Sequence, residues 1–179
     1  MSTANADNTW INTVKGQDPA VLTQARQIIA ANIYCTLSTC SAAGWPWASP
    51  LFFAYNPNWH LYWSSAIASR HSQNLAQNQG RAAIAIYSTQ AGEGKGQGLY
   101  LSGVAGELPP DQVDAVMQAL FQRAGGDPPQ RTAADYRDAS PRRFYRFQPA
   151  AAWITGARLA VGNQLVDTKI ELSLVDLRR

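Results

Sequence analysis

The sequence contains few cysteines and few histidines. Two cysteines, Cys35 and Cys40, and two histidines, His60 and His71, occur among 179 residues, and no CxxC pair is present. The odd spacing of the cysteines places them on opposite faces if both lie on one strand. These scarcities argue against a disulfide framework and against a protein-built zinc site. We therefore predict a buried structural thiol at Cys35 and no metal site.

Long apolar runs are also missing. No stretch approaches the roughly 20 consecutive apolar residues that a membrane helix needs. The first residues, "MSTANADNTW", are polar and lack the charged start and apolar stretch of a targeting signal. These features predict a cytoplasmic protein without membrane association. We expect residues 1–12 to be disordered or loosely attached and residues 13–179 to form a single domain.

Charge is low, and several catalytic motifs are absent. Charged residues make up 15% of the chain and the net charge is +3, with the basic excess in "SPRRFYRF" and "DLRR". Without a stripe of basic and aromatic residues, this charge does not favour nucleic acid as a partner. The absence of G-x-S-x-G argues against a hydrolase. The glycine-rich "GEGKGQG" (Gly92 to Gly98) lacks the P-loop order, which leaves a mobile hairpin loop, a lid or a partner contact.

Alternating segments dominate the rest of the chain. Hydrophobic residues make up 46% of the whole sequence, enough for a core. "IYCTLST", "WASPLFFAY" and "HLYWS" predict an antiparallel meander, and "RAAIAIYST" and "LYLSGVAGEL" predict two more strands. "RRFYRFQP", "AAWITG" and "QLVDTKIELSLVDL" predict two or three strands near the C-terminus. Helices are predicted in "DPAVLTQARQIIAAN", "SRHSQNLAQNQG" and "PPDQVDAVMQALFQRAG". Many strands and few helices predict a mainly β fold, a barrel with attached helices.

One helix start carries the pattern of an anion site. Ser69 is a plausible N-cap, Arg70 offers a planar fork suited to phosphate, and His71 adds a second donor that a nearby phosphate would favour in its charged form. The hydroxyls of Ser64 and Ser65 precede them. The free N–H groups of a helix start also attract anions. The alternative is a capped surface helix with a solvated arginine.

The order of these pieces resembles the pyridoxamine 5′-phosphate oxidase-like family of FMN-binding split barrels. The resemblance is carried by "TLST", "GWP", "LYWSS", "SRHSQNL" and "YLSGVA" in sequence, and it covers residues 19–108 better than the C-terminal strands. It implies a six-stranded antiparallel split β-barrel. It further implies a homodimer with an FMN site at each of two places in the subunit interface.

The resemblance also assigns site residues. Ser64 sits at the position of a threonine that meets the flavin, and Ser69-Arg70-His71 matches a phosphate-holding Ser-Arg-Lys. Residues 47–52 would lie along the isoalloxazine, and Gln97 and Trp153 would border the flavin, the glutamine from the partner subunit. The candidate cofactor-binding residues are therefore Trp47, Ser49, Leu51, Ser64, Ser65, Ser69, Arg70, His71, Gln97 and Trp153.

The departures from the family pattern refine the function. "WASPLFF" carries no basic residue, His71 replaces a lysine, and Lys169 replaces a C-terminal arginine. We therefore expect weaker or pH-sensitive FMN binding and a small-molecule substrate other than pyridoxamine phosphate. The predicted function is an FMN-dependent oxidoreductase, with no catalytic residue assigned. The alternative is a non-enzymatic sensor or store that holds a flavin or haem, and a deazaflavin is a third possible cofactor.

Overall fold

The computed structural model describes residues 13–15, 18–125 and 131–179. The segment 1–12, predicted to be loosely attached, lies outside these residues. The described strands are β1 (Thr13–Lys15), β2 (Tyr34–Cys40), β3 (Pro46–Phe52), β4 (Ala54–Tyr55), β5 (Leu61–Ala66), β6 (Arg81–Tyr87), β7 (Gly98–Glu107), β8 (Arg142–Thr155), β9 (Leu159–Val161), β10 (Gln164–Val166) and β11 (Lys169–Leu172). The described α-helices are α1 (Pro19–Ala31), α2 (Arg70–Gln77), α3 (Val113–Ala124) and α4 (Leu174–Leu177). None of them is both long and apolar enough to cross a membrane.

Nine of the described strands form one sheet. Its main path runs β1-β11-β8-β7-β6-β2-β3, and β5 pairs with β8 and β4. β8 therefore carries β7 along one edge and β5, then β11, along the other. Among the described residues no ladder joins β3 to β5, although the chain passes between them through β4. This gap in an otherwise curled sheet is the opening of a split barrel, so the predicted fold class is confirmed.

The strand count exceeds the six that were predicted. Six strands of at least six residues, β2, β3, β5, β6, β7 and β8, make the barrel wall. The short β1, β4 and β11 extend it, and β9 and β10 form a separate hairpin. Segments of two to four residues carry too little alternation to be recognised from sequence. Their pairing depends on neighbours that are distant in the chain.

Two C-terminal strand predictions need correction. "QLVDTKIELSLVDL" is not one strand: it divides into β10, β11 and α4, and Ser173 accepts a hydrogen bond from the Asp176 N–H at the start of α4. "RRFYRFQP" and "AAWITG" are instead one strand, β8, which continues through Pro149. Pro149 is tolerated because the β7–β8 register shifts there, opposite Ser102 and Gly103. A Cβ on Gly103 would collide with the Gln148 carbonyl, so glycine permits the close approach of β7 and β8 at this point.

Two clusters of buried side chains fill the fold. The larger lies inside the barrel and includes Leu37, Trp63 and Phe147. The smaller lies between α3 and the opposite face of β5, around Tyr62 and Phe144. Cys35 belongs to the larger cluster, and burial raises the pKa of its thiol to about 12. The predicted structural thiol is confirmed, because a neutral buried thiol is a poor nucleophile.

Candidate functional site

The turn between β5 and α2 presents the predicted anion-binding residues. Ser69 has an extended backbone and occupies the N-cap of α2, as predicted, and its carbonyl accepts the first helical hydrogen bond from Gln73. Its hydroxyl makes no capping bond to the backbone and donates instead to Ser72 Oγ at 2.8 Å. The first N–H groups of α2 therefore receive no side-chain cap. Uncapped N–H groups at a helix start are donors available to an anion.

His71 points away from the surface and joins three elements. Its Nδ1 lies 3.1 Å from Ser49 Oγ on β3, and its Nε2 lies 2.7 Å from Ser65 Oγ on β5 and 3.0 Å from Ser69 Oγ. Ser49, Ser65 and the ring itself are buried. The hydroxyls satisfy a neutral ring whose proton is on Nε2, because Ser69 already donates to Ser72 and is left to accept.

Burial determines the charge of this histidine. Desolvation lowers the pKa of His71 below its ordinary value of 6.5. No carboxylate contacts the ring to offset that effect, since its three described partners are all serines. In the ligand-free chain the imidazole is therefore neutral at pH 7. It holds β3, β5 and α2 together and adds no positive charge to the surface.

Arg70 supplies the positive charge of the site. Its side chain is exposed, and its guanidinium lies over the Trp47 ring, 4.9 Å from the ring centroid. Trp47 in turn donates from Nε1 to Ser49 Oγ at 3.0 Å. Among the ion pairs of the described residues, none includes Arg70. A planar cation is thus fixed by stacking while its hydrogen-bonding edge stays open.

Polar side chains that the sequence analysis did not single out dock α2 on β2. Asn74 donates to Thr39 Oγ1 at 3.0 Å, and Asn78 donates to the Cys40 carbonyl at 2.8 Å. Both asparagines are buried. With His71 they follow the i, i+3, i+7 spacing of one helix face. The spacing can be read in "HSQNLAQN". A polar helix face is ordinarily exposed to solvent, however, so the sequence did not predict that this face packs on β2.

Two of the predicted residues lie outside this cluster, although close in sequence. Ser64 faces the opposite side of β5 from Ser65, and its hydroxyl accepts from Arg142 Nη2 at 3.2 Å. Leu51 is half-buried and packs on the barrel core. The structure therefore brings together Trp47, Ser49, Ser65, Ser69, Arg70 and His71, which together form the α2 site.

Gln97 and Trp153 lie at the other end of the sheet. Gln97 immediately precedes β7 and accepts from the Gln24 side chain at 3.0 Å, and Trp153 on β8 is paired with Tyr100. Ser65 pairs with Arg143, near the start of β8. At about 3.3 Å per residue, Arg143 and Trp153 are separated by about 33 Å along the strand. Within one chain, Gln97 and Trp153 therefore lie in a different site from the residues around α2.

The arrangement around α2 is suited to binding rather than to acid–base chemistry. Its polar groups are hydroxyls, a neutral buried imidazole, free N–H donors and one open guanidinium. An aromatic ring, Trp47, borders the guanidinium and is 42% exposed. The site can hold an anionic group next to a flat apolar one.

One family matches most of the chain. The pyridoxamine 5′-phosphate oxidase family model matches residues 21–156. That range includes β2 to β8 and the whole α2 site, and it ends before the β9–β10 hairpin. No curated protein matches the sequence.

Several solved structures are similar in fold. A haem-binding protein from Mycobacterium smegmatis is 23% identical with a TM-score of 0.61, covering 86% of this chain and 59% of its own. A haem storage protein from Vibrio cholerae is 18% identical with a TM-score of 0.60, covering 72% and 89%. An FAD-binding protein from Mesorhizobium loti is 22% identical with a TM-score of 0.55, covering 74% and 91%. The chain thus spans less than two thirds of the length of the mycobacterial protein.

Proposed function

The chain belongs to the pyridoxamine 5′-phosphate oxidase family, and from this membership we propose that it is an FMN-binding oxidoreductase that acts on a small molecule. The observation that carries the proposal is Arg70, an exposed guanidinium stacked on Trp47 beside uncapped N–H groups of α2. A phosphate monoester needs a cation with a bidentate edge and several N–H donors. Both are present at this one place.

The residues of the α2 site have different roles in binding the cofactor. Arg70 and the first turn of α2 bind the phosphate, and Trp47 and the residues of β3 border the ring system. His71 keeps β3, β5 and the helix start in register through its three serine contacts. FMN supplies hydride or single-electron chemistry when bound. The chain contributes binding, orientation and exclusion of water, and no side chain of the site is assigned a proton transfer.

A homodimer is part of the proposal. Gln97 and Trp153 lie at the opposite end of β8 from Arg70, so one chain does not surround a flavin with both sets. The exposed face of β2, β3 and β6 offers a surface for a second copy, because its only charged side chain is Arg81, at the start of β6. Its uncharged residues include Tyr34, Thr36, Ser38, Ala48, Pro50, Phe52, Ala83 and Ala85. The cytoplasmic location predicted from the sequence stays a prediction.

Haem binding is the second candidate function, because two of the similar structures are haem proteins. His71 is a poor axial ligand as it stands, because both of its ring nitrogens contact serines. The pyridoxamine phosphate substrate is disfavoured, because the α2 site offers one exposed cation for two phosphates.

Titration with FMN tests the proposal. We expect flavin fluorescence to be quenched on binding and the bound flavin to bleach with dithionite. Arg70→Ala should weaken binding by roughly 1.5–3 kcal/mol, and Arg70→Lys by less, because a charge remains without the fork. Arg179→Ala is the control, since that exposed arginine pairs with Asp176 outside the site. A chain that ignores FMN and gives a Soret band with haemin would establish the haem alternative instead.

A further inference from the structure

The side chain at the N-cap of α2 is turned away from its own helix. Asp18 caps α1 and Ser173 caps α4 in the ordinary way, because each side chain accepts from a backbone N–H of its first turn, at 2.8 Å and 3.3 Å. Ser69 occupies the same position on α2, with an extended backbone that permits such a cap, yet its hydroxyl makes none. The backbone at the helix start therefore does not explain the missing bond, and the cause is a competing partner for the hydroxyl.

Ser72 is that partner. It lies three residues along α2 from the N-cap, and its Oγ accepts from Ser69 Oγ at 2.8 Å. The Nε2 of His71 lies 3.0 Å from the same Ser69 oxygen, so the hydroxyl has one partner for its oxygen and another for its hydrogen. These two contacts fix the hydroxyl in a direction that leaves the first-turn N–H groups without a side-chain acceptor. The N–H of Ser72 is one of the usual donors to an N-cap oxygen.

The direction of the Ser72 hydroxyl is in turn set from the barrel interior. Ser72 is buried, and with Tyr145 it lines a cavity of about 100 Å³ between α2 and the end of β7. Burial raises the pKa of Tyr145, and a hydrogen bond with the Ser72 side chain lowers it. The Tyr145 ring is stacked on the buried Trp63, with the two centroids 5.8 Å apart, so the phenol is held in place. Ser72 therefore links the rigid core to the start of α2.

We propose that Ser72 is a positioning residue for the α2 site: it draws the Ser69 hydroxyl off the helix start and so keeps the first-turn N–H groups free for an anion. That this anion is the phosphate of FMN rests on the proposed function, whereas the effect of Ser72 on the helix start rests on the hydrogen bonds. Without the Ser72 acceptor, the Ser69 hydroxyl turns to the cap position. There it competes with the anion for the same N–H groups.

The variant Ser72→Ala tests the effect on the helix start in the ligand-free protein. We expect the protection factor of the residue 72 amide, measured by hydrogen exchange in NMR spectra, to rise about fivefold, because the Ser69 oxygen then accepts from it. Ser72→Thr keeps the hydroxyl and has room for its methyl in the adjoining cavity, so its exchange should match that of the unmodified protein. Ser72→Cys keeps the shape of the side chain but accepts poorly, and it should behave as Ser72→Ala does.

Titrations with FMN and with inorganic phosphate on the same preparations test the effect on binding. Ser72→Ala and Ser72→Cys should each bind the anions about fivefold more weakly, and Ser72→Thr should bind them normally. Ser173→Ala is the matched control, because it removes a serine that does cap its helix. It should lower the free energy of unfolding and leave both titrations unchanged.

The two measurements separate this inference from the proposed function. Slower exchange together with weaker FMN binding in Ser72→Ala supports both. Slower exchange together with weaker phosphate binding, in a protein that ignores FMN, supports the role of Ser72 and overturns the flavin function. The inference is overturned if exchange of the residue 72 amide does not change, if Ser72→Ala binds the anions as tightly as the unmodified protein or more tightly, or if neither probe binds.

Discussion

His71 illustrates how the surroundings of a single residue determine its role. In the sequence it follows Ser69-Arg70 and replaces a lysine, which suggested a second cation for a phosphate. In the structure its ring is buried among Ser49, Ser65 and Ser69, and desolvation lowers its pKa. A neutral imidazole cannot offset phosphate charge. Arg70 and the uncapped helix start are therefore left to do so.

The lowered pKa of His71 predicts a pH-dependent stability. The unfolded chain keeps the ordinary value of 6.5 and takes up a proton first as the pH falls. Stability is therefore full above about pH 6.5 and is lost as the pH falls below it. We expect His71→Gln to reduce the loss in the free energy of unfolding between about pH 7.5 and about pH 5.5, as measured by urea unfolding.

His60 provides a second, independent test of the same pH dependence. Its pKa is also lowered, by burial and by the charges of Arg146 and Arg178, so it contributes in the same direction from another place. The variants His60→Gln and His71→Gln should each remove a part of the pH dependence, and their effects should add. A His71→Gln protein with the pH dependence of the unmodified chain would show that the ring is not held neutral.

At the scale of elements, α1 and α3 are joined by one side chain. α1 has no basic residue in its last turn. Arg123 on α3 fills that role, since its Nη2 donates to the Ile29 carbonyl at 2.7 Å and to the Asn32 carbonyl at 2.8 Å. The same guanidinium lies 4.9 Å from the Phe53 ring centroid and 4.8 Å from that of Tyr55. The Arg123 guanidinium thus caps the C-terminus of α1 and packs on the segment between β3 and β5.

Removal of this cation should destabilise the fold. Arg123→Met keeps most of the aliphatic stem but loses two charge-assisted hydrogen bonds, so we expect the free energy of unfolding to fall by about 2 kcal/mol. Gln122→Met, at an exposed neighbouring position of α3, should change it little. Urea unfolding with an unchanged slope measures the difference. Equal stabilities of the two variants would refute the capping role.

At the scale of the whole molecule, we propose that a second copy of the chain completes the flavin site. Arg70 follows the end of β5 that pairs with the start of β8, whereas Trp153 lies about 33 Å further along β8 than Arg143 and Gln97 precedes β7. The outer face of β2, β3 and β6 carries one charged side chain, Arg81 at the start of β6, and its centre around Thr36 is uncharged. A face with an uncharged centre can pair with its own copy without burying an unpaired charge there.

A charge placed in the centre of that face tests the dimer. Thr36 lies between Pro50 on β3 and Ala85 on β6. We expect the unmodified chain to sediment as a dimer and Thr36→Glu to sediment as a monomer with weakened FMN binding, because the interface would bury an unpaired carboxylate. Val175→Glu, at a 60% exposed position on α4, should leave both properties unchanged. A Thr36→Glu dimer with normal FMN affinity would place the interface elsewhere.

The sequence by itself determined the features that depend on local pattern. Alternation in "IYCTLST" and "RAAIAIYST" predicted β2 and β6, the segment "DPAVLTQARQIIAAN" predicted α1, and Ser69 predicted the start of α2. The resemblance to a known family, carried by the order of the motifs, implied the split barrel and the grouping of Trp47 and Ser49 with the helix start. The strands and helix starts are visible in sequence because side-chain direction repeats every two residues in a strand and caps act within a few residues.

The tertiary structure alone decided what depends on distant partners. It placed Ser65 rather than Ser64 beside His71, because packing decides which face of β5 turns toward α2. It extended β8 through Pro149, because β7 shifts its register there, and it divided the segment after Gln164 among three elements. It also buried His71 and so removed its charge. Burial and register arise from contacts between residues far apart in the chain, and no local pattern encodes them.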